Sequence, residues 1–137
     1  MKRKERYDKK LDYIFYKISN LPLDPLNEIT IDATLYRIQT STEAAMDVIA
    51  MLCKDLGIPV SDDYSNIAEL SAKKIISDDL AEDLKRLNGL RNAIVHRYNK
   101  LNYQEVIKNI NEIKRILLNF IEVVEDLLRE IFGENQG

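Results

Sequence analysis

Histidine and cysteine occur once each, at His96 and Cys53, tryptophan is absent, and four glycines and three prolines are all that punctuate 137 residues. A lone histidine and a lone cysteine cannot build a zinc centre of nitrogen and sulfur ligands within one chain. A single cysteine cannot close an intramolecular disulfide, and Cys53, beside Leu52 in an apolar helical stretch, reads as a small buried hydrophobe. Acids are plentiful, but no compact Asp-x-Asp arrangement argues for a magnesium site. No glycine-rich phosphate loop is present either. No feature so far calls for a metal or another cofactor, and a magnesium site built from carboxylates alone stays open. The basic start (Lys2, Arg3, Lys4 and Arg6) is followed by no apolar stretch of the kind a signal peptide carries. No run approaches the ~18 uninterrupted apolar residues of a membrane span. The expectation is a cytoplasmic protein without membrane contact. A net charge of −3 supplies no global basic field, so any contact with a polyanion has to be local.

Hydrophobic residues make up 45% of the chain and charged ones 31%, a profile of globular helical proteins. The length suits one domain over 1–137 with one hydrophobic core. Apolar residues recur in steps of three and four, and nothing alternates as a strand would. Tyr7, Leu11, Ile14, Ile18 and Leu21 mark a first helix, closed by Pro22 and Pro25. Ile31, Leu35, Ile38, Thr42, Ala45, Ile49, Leu52 and Leu56 mark a long second one, stopped by Gly57 and Pro59. A polar connection from Val60 to Asn66 leads to a short segment over Ile67–Ile75, and Ser77 is placed to cap the next helix. That helix carries Leu80, Leu84, Leu87, Arg91, Ile94 and Tyr98 on one stripe. Asn102 and Glu105 form a capping-box-like pair before a last helix with core positions from Tyr103 to Ile131. Its second apolar edge (Ile107, Ile116, Ile121, Val123 and Leu128) implies burial on two sides, in a deep core position or at a dimer interface. The expected fold class is all-α, an antiparallel bundle of four to five helices.

Chemistry concentrates in Lys85–Lys100, which holds Lys85, Arg86, Arg91, Arg97 and Lys100 and no acid, just after a segment rich in Asp and Glu. Acids at a helix start and bases at its end complement the macrodipole, which explains the charge pattern without any function. Arg91, however, falls on the apolar stripe, where a guanidinium needs an anionic partner or a polar cleft. Glu43 or Asp47 on the second helix is a candidate partner. His96 is the one side chain here whose ordinary pKa permits proton exchange near neutrality, although a histidine at a helix end also satisfies the dipole. Gly89 interrupts the helix at a cost of ~1 kcal/mol relative to Ala, as an imperfection or to admit another helix closely. Arg91 and His96 stand five residues apart, about 140° of helical rotation, and so do not share a face. Acid–base cleavage of RNA needs a proton donor and an acceptor. A symmetric homodimer would bring two such helices, and two histidines, to one cleft.

The stretch Arg91-Asn92-Ala93-Ile94-Val95-His96-Arg97-Tyr98 resembles the R-x-x-x-x-H-x-Y signature of HEPN toxins of the HepT family. Its place at the end of the penultimate helix, with a long helix following, adds to the likeness. The resemblance implies a HEPN bundle and a metal-independent endoribonuclease of a type VII-like toxin–antitoxin module, working as a homodimer. On that reading His96 handles the proton of the ribose 2′-hydroxyl or of the leaving oxygen, and the product carries a 2′,3′-cyclic phosphate. Arg91 neutralises the scissile phosphate. Asn92 orients His96 or the phosphate, and Lys85, Arg86, Arg97 and Lys100 guide the RNA backbone. The implied partner is a minimal nucleotidyltransferase antitoxin, MntA-like, that adds AMP to Tyr98; an ordinary core-edge aromatic is the other reading of that residue. A HEPN chain also serves as a non-catalytic, nucleotide- or substrate-binding subunit of such a nucleotidyltransferase, and only cleavage separates the two.

Overall fold

The computed structural model describes residues 2–22 and 27–133, and the described residues are helical without a strand. Helix α1 spans Arg3–Ser19 and buries the predicted stripe of Tyr7, Leu11, Ile14 and Ile18. It ends three residues before Pro22, while Pro25 lies outside the described residues. Helix α2, Glu28–Asp55, starts earlier than its apolar pattern suggests. The reason is a capping box: the Asn27 side chain accepts from the Thr30 amide, and Thr30 reciprocates. At the other end Gly57 adopts φ +75°, the left-handed conformation that stops a helix at low cost to glycine.

Helix α3, Asp63–Ala72, begins four residues before the expected Ile67. The Asp62 carboxylate accepts from the Ser65 amide, so the polar connection supplies a cap and a first turn. Helix α4, Asp78–His96, opens on Ser77 as expected, the hydroxyl accepting from the Leu80 amide at 3.1 Å. The last apolar pattern divides into α5, Tyr103–Lys108, and α6, Ile110–Phe132, with a break at Asn109. Asn102 caps α5 through the Glu105 amide, at 3.3 Å. Tyr103 is not core: it starts a six-residue helix that buries Val106 alone, and its ring is exposed.

Buried residues of α1, α2, α3, α4 and α6 join in a continuous core. Two cross-links fix the antiparallel pairing of α1 and α2, where Lys10 meets Asp47 and Tyr7 meets Asp55, and Asp83 of α4 meets Arg115 of α6. Ile116, Ile121 and Leu128 of α6 are buried within this chain, while Ile107 of α5 and Val123 of α6 stay half-buried, so the core accounts for three of the five residues of that edge. Cys53 is buried, as expected, and burial raises its thiol pKa.

Gly89 faces Tyr64 of α3, but a Cβ there would sit 3.6 Å from the tyrosine hydroxyl, an ordinary contact. Gly89→Ala is thus expected to stabilise the fold by about 0.5–1 kcal/mol, through helix propensity. A higher urea midpoint at unchanged slope is the expected result; a lower one would mean that something else must approach Gly89 closely.

Candidate functional site

Arg91 continues the apolar stripe of α4 one turn beyond Leu87 and Asn88, half-buried, where α4 packs against α2. Its guanidinium meets Glu43 of α2: Nε donates to Oε2 at 3.0 Å, and the Nη2 nitrogen donates to the same oxygen at 2.5 Å. The Nη1 nitrogen donates to Oδ1 of Asn92 at 2.9 Å. Asn92 therefore orients the arginine directly. With side-chain exposures of 26% and 35%, the Arg91–Glu43 pair sits at the edge of the core, where water still reduces the desolvation cost.

A guanidinium has five N–H donors. The three hydrogen bonds above leave two that can meet an anion. Beside Arg91 lies an open hollow of about 360 Å³ lined by Glu43, Met46, Asp47, Asp63 and Arg91. Asp47 is not a partner of Arg91. Its carboxylate accepts from Lys10 of α1 at 2.8 Å, so Glu43 alone fills the expected role.

His96 is the last residue of α4 and is exposed. Since Arg91 and His96 belong to one regular helix, the 140° offset between them stands, and one chain aims them in different directions. Tyr98 departs from expectation. Helix α4 ends at His96, Arg97 turns out of helical geometry at φ −134°, and Tyr98 opens a single 3₁₀ turn, Tyr98–Lys100. It therefore does not continue the α4 stripe of Arg91. Its hydroxyl instead donates to the Asp32 carboxylate on α2. Asp32 precedes Glu43 by eleven residues, about 20° of rotation and about 16 Å of rise, so the two carboxylates occupy one face of α2. Arg91 and Tyr98 are thus docked on a shared helix face, that of α2. The hydrogen bond to Asp32, then partial burial and the nearby charges of Asp32 and Glu28, push the Tyr98 pKa up to about 12.

The four flanking cations separate. Lys85 pairs loosely with Glu82 at 3.8 Å, and helical geometry sets it on the side of α4 that carries Asn92 and His96. Arg86 pairs with Asp83 and lines a different hollow, with Glu105 and Glu112, towards α5 and α6. It is not part of the Arg91 site. Arg97 and Lys100 are exposed beside Tyr98 and make no ion pair among the described residues. Sequence reasoning passed over Asp32 and Lys10. The signal for Asp32 was its eleven-residue spacing from Glu43; Lys10, one basic residue among several on α1, offered none. Among the described residues no cluster of three or more His, Cys, Asp or Glu side chains is placed to hold a metal, and no helix is long and apolar enough to cross a membrane.

The family model described as "Ribonuclease HepT-like" matches residues 17–124. The chain belongs to the HepT-like family. An Archaeoglobus fulgidus relative named "Putative RNase" is 46% identical over 94% of this chain and 98% of its own length. The mRNA nuclease HepT of Shewanella oneidensis is 30% identical, over 69% of this chain and 71% of that protein. The solved structure of the tri-AMPylated Shewanella oneidensis HEPN toxin in complex with MNT antitoxin superposes with a TM-score of 0.68. That alignment covers 87% of this chain and 90% of the other at 23% identity, a likeness of fold. Arg91 and His96 of the R-x-x-x-x-H-x-Y signature therefore stand on the last turns of α4 in a HEPN fold, with Tyr98 just beyond the helix.

The Tyr98–Asp32 bond makes a testable contribution. Because the folded-state pKa lies above the unfolded value of about 10, the stabilisation is complete below pH 10 and is lost as pH rises through 12. In Asp32→Asn the Tyr98 phenol should ionise closer to 10, seen as an earlier phenolate absorbance step that Tyr98→Phe abolishes. An unchanged titration in Asp32→Asn would mean that the contact does not hold in solution.

Proposed function

We propose that this HepT-like chain is a metal-independent endoribonuclease, the toxin of a type VII-like HEPN/MNT module, working in the cytoplasm as one HEPN domain over residues 1–137. The observation that carries the proposal is the state of Arg91: two partners hold its guanidinium in place while two N–H donors stay available beside an open hollow. That is a preorganised anion contact, costing little rearrangement when charge develops on a phosphate. His96, exposed at the C-terminal end of the same helix, supplies the proton chemistry.

In the proposed reaction the ribose 2′-oxygen attacks the adjacent phosphorus as its proton passes to a histidine. The 5′-oxygen of the next nucleotide leaves and takes up a proton, and the product ends in a 2′,3′-cyclic phosphate. Two proton transfers call for two groups, while one chain has one histidine. The 140° offset and this count both support a homodimer with a shared cleft. Lys85, Arg97 and Lys100 flank the motif as backbone contacts. The proposed partner is an MntA-like nucleotidyltransferase antitoxin, and Tyr98 is the proposed AMP acceptor, a reading supported by its exposed phenol and by the AMPylated HEPN relative. AMP there would place a phosphate on the α2 face shared with Arg91.

A second reading, a nucleotide- or substrate-holding subunit that does not cleave, draws support from the different directions of Arg91 and His96. One chain offers the two free Arg91 donors to a phosphate without His96 on the same face. Cleavage separates the two. With EDTA present, His96→Ala is expected to lower the RNA cleavage rate by about 10²–10⁴-fold. Arg91→Lys, which keeps a charge beside Glu43, is expected to lower it by about 10²–10³-fold. Circular dichroism and light scattering should match the wild type. Full activity in both variants would refute the site, and an inert wild type on varied RNAs would favour the holding subunit.

A further inference from the structure

A further hollow lies between α1 and α2. It measures about 740 Å³ and shares Glu43 and Asp47 with the smaller hollow beside Arg91, so the two adjoin on the exposed face of α2. Its α1 wall is patterned. Arg3, Arg6, Lys10, Tyr13 and Lys17 recur at steps of three and four, which places them along one edge of the helix.

Charge accounting decides what this groove attracts. Its three acids are each engaged: Glu43 by Arg91, Asp47 by Lys10, and Asp55 by Arg3 at 3.4 Å and by the Tyr7 hydroxyl. Arg6, Lys9 and Lys54 remain, exposed and with no ion-pair partner among the described residues. Beyond them Tyr13 and Tyr36 expose 40% and 58% of their surface. Lys17 lies over both rings, 5.3 and 5.6 Å from their centroids. Tyr36 stands seven residues before Glu43, on the same face of α2.

We infer that the α1–α2 groove is a single-stranded RNA track. Arg6, Lys9 and Lys54 take backbone phosphates, Tyr13 and Tyr36 stack bases, and the strand continues to Arg91. The inference rests on the ribonuclease reading for its ligand. Unpaired cations followed by exposed aromatic faces are what sequence-tolerant binding of a single strand uses. A second copy of this chain fits less well. A two-fold interface sets the same patch against itself, and here that would oppose like charges.

The test uses the full-length His96→Ala chain and a labelled single-stranded RNA of mixed sequence, with affinity measured across a salt series. Binding is thereby read without cleavage. Combined Arg6→Glu, Lys9→Glu and Lys54→Glu should lower the slope of log affinity against log salt by about 2, since each single-strand phosphate contact contributes about 0.7. Tyr13→Ala with Tyr36→Ala should weaken binding at least about 30-fold at an unchanged slope. The charge-matched control of Lys73→Glu, Lys74→Glu and Lys108→Glu, positions that do not line the groove, should leave the slope nearly intact. Equal loss in the control overturns the track, as does an unchanged slope in the groove variant. A changed oligomeric state by light scattering at an unchanged slope also overturns it, making the groove a contact between copies. Absence of cleavage by the wild type would refute the nuclease reading alone, because the slope is measured independently.

Discussion

A guanidinium carried into the seam between two helices has to be met by a carboxylate, and the Arg91–Glu43 pair sets the arrangement of everything around it. It fixes the rotation of α4 against α2, because turning α4 would separate the two groups and expose Leu84, Leu87 and Ile94. It also fixes the direction in which the end of α4 points. Once α4 runs antiparallel to α2 from that contact, the next seven residues bring Tyr98 to Asp32, about three turns back along α2. The candidate site is therefore built on α2 as a floor, with α1 on one flank and α4 on the other.

Helix placement was largely legible in the chain because burial imposes a period of 3.6, and α1, α4 and most of α6 show that period cleanly. Arg91 stood out because it breaks the apolar stripe, and Glu43 followed from the need for a counter-charge. Other features were hidden because they depend on caps rather than on periodicity. Asp62 starts α3 before its first apolar residue, and the break at Asn109 leaves Tyr103 on a short, shallow helix. Tyr98 was misplaced for a similar reason. Seven residues from Arg91 means one face only while the helix continues, and here it ends at His96.

Charge patterning was legible only in part. Lys85, Arg86, Arg97 and Lys100 read as one basic cluster along the sequence, yet acids on the same helix engage the first two, and Arg86 faces α5 and α6. The stripe on α1 works in reverse. In the sequence its cations are interspersed with Glu5, Asp8 and Asp12 and look like a solvated surface. Folding then pairs Glu43, Asp47 and Asp55 of α2 with Arg91, Lys10 and Arg3, leaving Arg6, Lys9 and Lys54 without an ion pair among the described residues.

The connection between α4 and α6 has a dynamic consequence. From Arg97 to Asn109 the one buried residue is Val106. A segment so lightly packed opens for far less than the free energy of global unfolding, as a cooperative unit of its own. Tyr98 rides on that segment while Arg91 is anchored in the frame that stays closed. Any macromolecule that must enclose the phenol can therefore reach it through a sub-global opening, with α1, α2 and α4 intact, and amide exchange in residues 97–109 would run on its own clock.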